Sequence, residues 1–226
     1  MACTREIQGL DKNRSWDYEN GFYWFSSKSR LNKALAHYEL YKTIINKPGD
    51  ILEFGVFKAA SLIRFANYRD ALENDYSRRI VGFDTFADFP KTNLDLKSDL
   101  EFIKFFEEVG GDGLTVDEIS GILANKGFEN IELVKGNVFD TLTTYLKQKP
   151  ETRIALLHLD MDVKEPTELA LELLYERVVP GGLIVLDDYG IVAGATEAVD
   201  ALIKHYRLQL EKLPFYMTPT FIRKPL

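Results

Sequence analysis

Ile154 to Tyr189 reads IALLHLDMDVKEPTELALELLYERVVPGGLIVLDDY. Two apolar runs in it end in carboxylates, Asp160 and Asp162 after the first and Asp187 and Asp188 after the second. An apolar run of that length, closed by a polar break, predicts a strand buried on both faces of a parallel sheet. Between the runs, Pro166 to Val179 carries Leu169, Leu173, Leu174 and Val178 at helical spacing. Strand, helix and strand make a right-handed crossover, so the two strands run the same way. The four carboxylates then gather at the carboxyl edge of one sheet, where open α/β sheets bind ligands. Carboxylates packed this closely repel one another unless a positive charge sits among them. Hard oxygen donors suit magnesium, calcium or manganese, so the cluster predicts a divalent-cation site. A single aspartate at a strand end would read as a cap; D-x-D and D-D on neighbouring strands read as a site.

The same sheet edge continues toward the N-terminus. Asp50 to Phe57 (DILEFGVF) predicts the first sheet strand, which runs into a turn at Gly55 and then a helix from Ala59. Strand, tight glycine turn and helix N-terminus together favour an anionic group. The G-x-G-x-x-G that lets a backbone approach a pyrophosphate is absent. That counts against a dinucleotide and fits a smaller ligand with a carboxylate, such as S-adenosylmethionine, whose ammonium Glu53 would receive. Arg79 to Asp84 predicts the second strand. Asp84 at its end is placed to accept protons from ribose hydroxyls, with an N-cap as the plainer role. Asn130 to Lys135 predicts the third strand, and Gly136, Asn137 and Val138 follow where an adenine ring would lie.

From Thr85 to Phe128 the sheet pattern stops. Asp99 to Val109 reads as an amphipathic helix, Gly110 to Gly113 as a break, and Thr115 with Glu118 as a capping box opening a helix to about Lys126. An insertion of this length (86–128) after a ligand-binding strand is expected to cover the site or shape its acceptor side. Ser29 to Ile45 reads as a helix; Leu213 to Met217 and Thr220 to Arg223 read as an antiparallel hairpin at the sheet edge. Residues 29–226 are expected to form one domain. Residues 1–28 form an arm with Trp16, Tyr18, Phe22, Tyr23, Trp24 and Phe25. The arm is expected to pack on the body or on a second subunit, with a flap over the active site as the other reading; its aromatic cluster points to a homodimer or higher homo-oligomer.

With 226 residues, 46% apolar and 28% charged, the chain suits one α/β domain with a full core. A net charge of −7 without a basic run argues against nucleic acid or an anionic membrane as partner. The lone Cys3 allows no internal disulfide, the first residues lack a signal-peptide core, and no apolar run approaches a membrane span. A cytoplasmic location is the expectation. Neither a P-loop nor G-x-S-x-G occurs. His37, His158 and His205 are scattered and read as packing or surface groups.

EFGVFKAAS, GFDTFADFP, GNVFDTL, LDMD-x-x-x-PT and PGGLIVLDDYG occur in that order. Together they resemble the macrocin O-methyltransferase (TylF-like) family, over about residues 29–205. Ala59 and Ala60 stand where the family commonly has a glycine, and Val163 stands close to where it often has an aromatic residue. The resemblance implies a Rossmann-like class I methyltransferase fold, a mainly parallel seven-stranded sheet between helices with the last strand antiparallel. It implies S-adenosylmethionine as methyl donor, magnesium as cofactor and a sugar hydroxyl as acceptor. By resemblance, Asp160, Asp187 and Asp188 hold magnesium, and Asp162 is the general base, with Asp160 able to exchange roles with it. Glu53, Gly55, Ser61, Asp84, Thr85, Asn137 and Val138 line the donor site. A catechol-like diol as acceptor and a non-catalytic donor-binding module are the competing readings. A phosphate-accepting receiver domain also has acidic strand ends, but this chain lacks a suitably placed lysine at the last strand and is too long by about half for one such domain.

Overall fold

The computed structural model describes residues 5–90, 94 and 96–226; the lone Cys3 lies outside them. A short hairpin of β1 (Glu6–Ile7) and β2 (Leu10–Asp11) precedes α1 (Ser15–Phe25) and α2 (Lys28–Lys42). Strands and helices then alternate: β3 (Asp50–Phe54), α3 (Ala60–Leu72), β4 (Ile80–Asp84), α4 (Lys97–Gly110), α5 (Val116–Lys126) and β5 (Ile131–Lys135). The second half holds α6 (Val138–Gln148), β6 (Ile154–Leu159), α7 (Lys164–Leu174), β7 (Val178–Leu186), α8 (Ala193–Tyr206), β8 (Leu210–Lys212) and β9 (Thr220–Arg223).

Seven strands form one sheet in the order β5-β4-β3-β6-β7-β9-β8. The first five are parallel, and β9 runs antiparallel to both β7 and β8. The chain is therefore α/β with a mainly parallel sheet, as the alternating pattern predicts. Strand alternation sends Leu52, Phe54, Leu157 and Ile184 to the face covered by α6, α7 and α8. Ile51, Leu156 and Val185 go to the face covered by α2, α3 and α5. Chain order reverses between β3 and β6, which opens the crevice at the carboxyl edge between them.

Two elements differ from expectation. The edge strand before β9 is Leu210–Lys212 and not 213–217. The alternation of Leu213, Phe215 and Met217 suggested a strand, but Pro214 carries no N–H for a ladder bond, and Phe215 and Met217 are exposed. The arm forms a helix, α1, none of whose residues is buried. Among the described residues no helix is long and apolar enough to cross a membrane.

The sheet's amino end is tied to α2 and α3 by Arg78, whose side chain is 2% exposed. Its guanidinium donates to the Glu73 carboxylate and to the carbonyls of Ile44, Lys47 and Gly49. Tyr41 Oη donates to the same carboxylate at 2.5 Å. Removing one partner of a buried pair leaves the other charge uncompensated. Arg78→Met is expected to lose roughly 3–5 kcal/mol of stability in denaturant unfolding. Adding Glu73→Gln should recover part of that loss.

Candidate active site

A cavity of about 1220 Å³ opens at the carboxyl edge, larger than one small ligand needs. Its floor comes from the ends of β3, β4, β6 and β7. Its outer wall is Phe102, Phe105, Phe106 and Val109 of α4, so the insertion does border the site. The insertion is anchored there by polar contacts. Asp99, fully buried, accepts from Lys164 N at 2.9 Å and Gly194 N at 3.2 Å, N–H groups in the first turns of α7 and α8 that have no partner within their own helix. Lys58 Nζ donates to Gly110 O, and Leu114 N donates to Phe57 O. Thr115 and Glu118 form the expected capping box on α5.

The acidic cluster is assembled by register. Leu159 pairs with Leu186, so Asp160 and Asp187 leave adjacent strands at the same level. Among the described residues Asp160, Asp187 and Asp188 each offer an oxygen, all within 4.8 Å of one another. Asp162 stands outside that trio. It holds φ at +66° in the turn into α7, and its N–H donates to Asp188 Oδ2 at 2.9 Å. A non-glycine residue in that conformation is found where surrounding contacts hold it there.

The electrostatics follow from burial. Burial first, and then Asp187 and Asp188, push Asp160 well above the usual carboxylate range. Burial, then Asp162 and Asp187, do the same to Asp188. Burial and then Asp160 push Asp162 up to about 8. Asp187 behaves oppositely: burial opposes its charge, but His158 and Lys33 outweigh burial and hold it below the usual range. Without further positive charge these groups cannot all ionise, and a hard cation fits the donor set.

A buried polar layer lies under the cluster. Lys33 Nζ of α2 donates to Asp187 Oδ2. His37 Nε2 and His158 Nε2 stand 4.0 and 3.9 Å from Asp187 Oδ1, too far for hydrogen bonds. His158 Nδ1 lies 3.6 Å from Glu53 Oε1. Burial opposes charge on His158, yet Asp187 and Glu53 outweigh it and raise its pKa to about 10. Burial, then His158, hold His37 well below its usual value.

The predicted donor-site residues divide. Gly55, Ser61, Asp84, Thr85, Asn137 and Val138 all line the cavity. Glu53 is fully buried and does not line it. Strand alternation turns Glu53 to the α2/α3 face, where its carboxylate accepts from Ser61 Oγ. Ser61, at the cavity wall, is the link between them. Asp84 is largely committed to backbone: Oδ2 accepts from Val56 N and Phe57 N at 2.7 and 2.9 Å, and Oδ1 from Phe86 N at 2.7 Å. Thr85 Oγ1 stands 3.3 Å from the same Oδ1 and also reaches the Ala87 and Asp88 carbonyls. Of a carboxylate's roughly four acceptor positions, the last opens to a further donor when Thr85 donates to those carbonyls instead. Asn137 Oδ1 caps α6 by accepting from Phe139 N. Ala59, where a glycine was noted missing, takes the left-handed conformation at φ +56°.

Lys33, Arg30 and Arg64 also line the cavity, and no motif in the sequence marks them. All three sit on helices, where lone basic residues read as solvent-facing. The available signal was Lys33 and His37 one helical turn apart, on the same face as the apolar Leu40.

A family model described as Macrocin-O-methyltransferase (TylF) matches residues 23–213. A Streptomyces olivaceus protein, 8-demethyl-8-(2,3-dimethoxy-alpha-L-rhamnosyl)-tetracenomycin-C 4'-O-methyltransferase, is 30% identical over 148 residues, 65% of this chain and 55% of that protein. Mycinamicin III 3''-O-methyltransferase of Micromonospora griseorubida is 29% identical over 150 residues, 65% of this chain and 57% of that protein. The chain thus spans little more than half the length of these curated relatives. The crystal structure of CalS11, described as a TDP-rhamnose 3'-O-methyltransferase in calicheamicin biosynthesis, superposes with a TM-score of 0.67 at 29% identity. It covers 92% of this chain and 86% of CalS11.

Proposed function

The chain belongs to the macrocin-O-methyltransferase (TylF) family, and from that premise we propose that it moves a methyl group from S-adenosylmethionine to a sugar hydroxyl, with a divalent cation, magnesium by preference. The observation that carries this reading is the trio Asp160, Asp187 and Asp188, held at the ends of adjacent strands in one cavity with the Gly55 turn and the start of α3. We read residues 29–226 as one methyltransferase domain, 86–128 as its insertion and 1–28 as an arm. The exposed Trp16, Tyr23, Trp24 and Phe25 support a homo-oligomer.

Donor binding falls to the wall between β3, β4 and β5. The free N–H groups at the start of α3 and the Ser61 side favour the donor's carboxylate. Glu53 contributes through Ser61, fixing that hydroxyl rather than meeting the donor directly. Asp84 fixes the Gly55–Phe57 turn and, with Thr85 Oγ1 donating to the Ala87 carbonyl, offers Oδ1 to one ribose hydroxyl. Asn137 and Val138 border the adenine end.

The acceptor then lies between the acidic trio and the α4 phenylalanines. A bound cation supplies positive charge that stabilises a developing alkoxide. Asp160, Asp187 and Asp188 would hold it. Asp162, outside the trio and oriented by its own strained turn, accepts the hydroxyl proton as general base. With donor and acceptor bound in this one cavity, the oxygen would be positioned for attack on the sulfonium methyl as an effectively intramolecular step.

The test measures transfer of labelled methyl from S-adenosylmethionine to nucleotide-linked rhamnose, glycosides and catechols, before and after chelation. Sugar methylation that stops with chelator and returns with magnesium is the expected result. Catechol turnover without sugar turnover would move the acceptor to the second reading. Undiminished transfer after chelation would remove the cation.

A further inference from the structure

We propose that Lys33 is a resident counter-ion of the acidic cluster, holding Asp187 while no divalent ion is bound and competing with that ion for the same carboxylate. This rests on the cation site proposed above. Lys33 comes from α2, an element outside the strand ends that supply the carboxylates, and its side chain is only 21% exposed. Its ammonium donates to Asp187 Oδ2, whereas both histidines beside Oδ1 are too distant to bond it. Asp187 Oδ1 has no hydrogen-bond partner among the described residues. Lys33 is thus the side chain that fixes Asp187.

Asp187 is also the member of the trio that Asp160 and Asp188 must share an ion with. An ammonium bonded to one corner of a three-carboxylate site repels a divalent ion arriving there. At few-ångström separations that repulsion is large even at the effective dielectric of a protein surface. The same charge offsets repulsion among the carboxylates when the ion is absent. Lysine suits both tasks, because its flexible stem lines the open cavity and lets the ammonium withdraw. One charge therefore has two opposite consequences: it stabilises the ion-free protein and weakens ion binding.

The experiment titrates Mn²⁺ into the full chain by calorimetry, with wild type, Lys33→Met, Lys33→Gln and Lys33→Arg in parallel. Thermal midpoints are recorded with and without the ion. Lys33→Met and Lys33→Gln should bind Mn²⁺ about tenfold more tightly or better. Both should melt lower than wild type without the ion and regain the difference with it. Lys33→Arg, which keeps the charge, should stay close to wild type in both readouts. Weaker or unchanged binding in both neutral variants, with wild type binding Mn²⁺, would overturn the counter-ion role and leave the cation site standing. Absence of Mn²⁺ binding in every protein would overturn both.

Discussion

Asp162→Asn is expected to lower the rate of methyl transfer by roughly 10²–10⁴-fold while divalent-ion and donor binding persist. The reason lies in how the side chain is held. Its turn is fixed by the Asp162 backbone N–H bonded to Asp188 Oδ2, a contact that an Asn keeps. The substitution also removes a carboxyl that opposes the ionisation of Asp188, so folding should not suffer. The loss then reports a missing proton acceptor. Asp188→Asn should behave differently, because Asp188 belongs to the trio that shares an ion. It should weaken divalent-ion binding as well as rate, and excess Mg²⁺ should restore part of the activity. Single-turnover rates with labelled donor, beside calorimetric titration of Mn²⁺, separate the two cases. If instead Asp160→Asn abolishes turnover with the ion still bound and Asp162→Asn does not, Asp160 is the base.

Most of the sheet was legible because its strands are apolar runs closed by acids or glycine, and such a pattern has one economical fold. Leu159 and Leu186 pair in register, which is what two runs ending in Asp160 and Asp187 require. The insertion's second helix was legible for the same kind of local reason, a reciprocal cap between Thr115 and Glu118. Less legible were features set by which side of an element faces inward. Glu53 looked like a strand-end acid at the ligand, yet alternation buries it under α2 and α3, where Ser61 and His158 meet it. His158 looked like a packing residue; it is buried, and it also sits between two carboxylates. Lys33 carried almost no signal, because a lysine in a mixed helix is ordinarily solvated. Long-range charge pairing of this kind is separated by 154 residues, and no local pattern encodes it. The edge hairpin was misplaced by a few residues since an apolar run alone cannot tell a paired strand from a loop that turns at Pro214 and Phe215.

Gly55→Ala should unsettle both fold and site, and by more than any other glycine change at the sheet edge. Gly55 sits at φ +87°, a region that costs a residue with a Cβ about 1–2 kcal/mol. A Cβ there would also stand 1.8 Å from the carbonyl oxygen of Asp160 and 2.6 Å from its carbonyl carbon. Both are backbone atoms of the next strand, so neither can swing aside as a side chain would. The strand ends must separate, at a further overpacking cost of about 1–3 kcal/mol. Together these predict a loss of roughly 2–5 kcal/mol, or a thermal midpoint lower by roughly 4–20 °C for a domain of this size. Any separation also carries Asp160 away from Asp187 and Asp188, so Mn²⁺ affinity and methyl transfer should fall in the protein that remains folded. Gly127→Ala isolates the first contribution, because Gly127 shares the positive φ, at +69°, with nothing within 4 Å of a new Cβ. It should lose only the backbone part and keep full activity. Equal losses in the two variants would mean that β3 and β6 do not need their close approach, and that the cluster's geometry is set elsewhere.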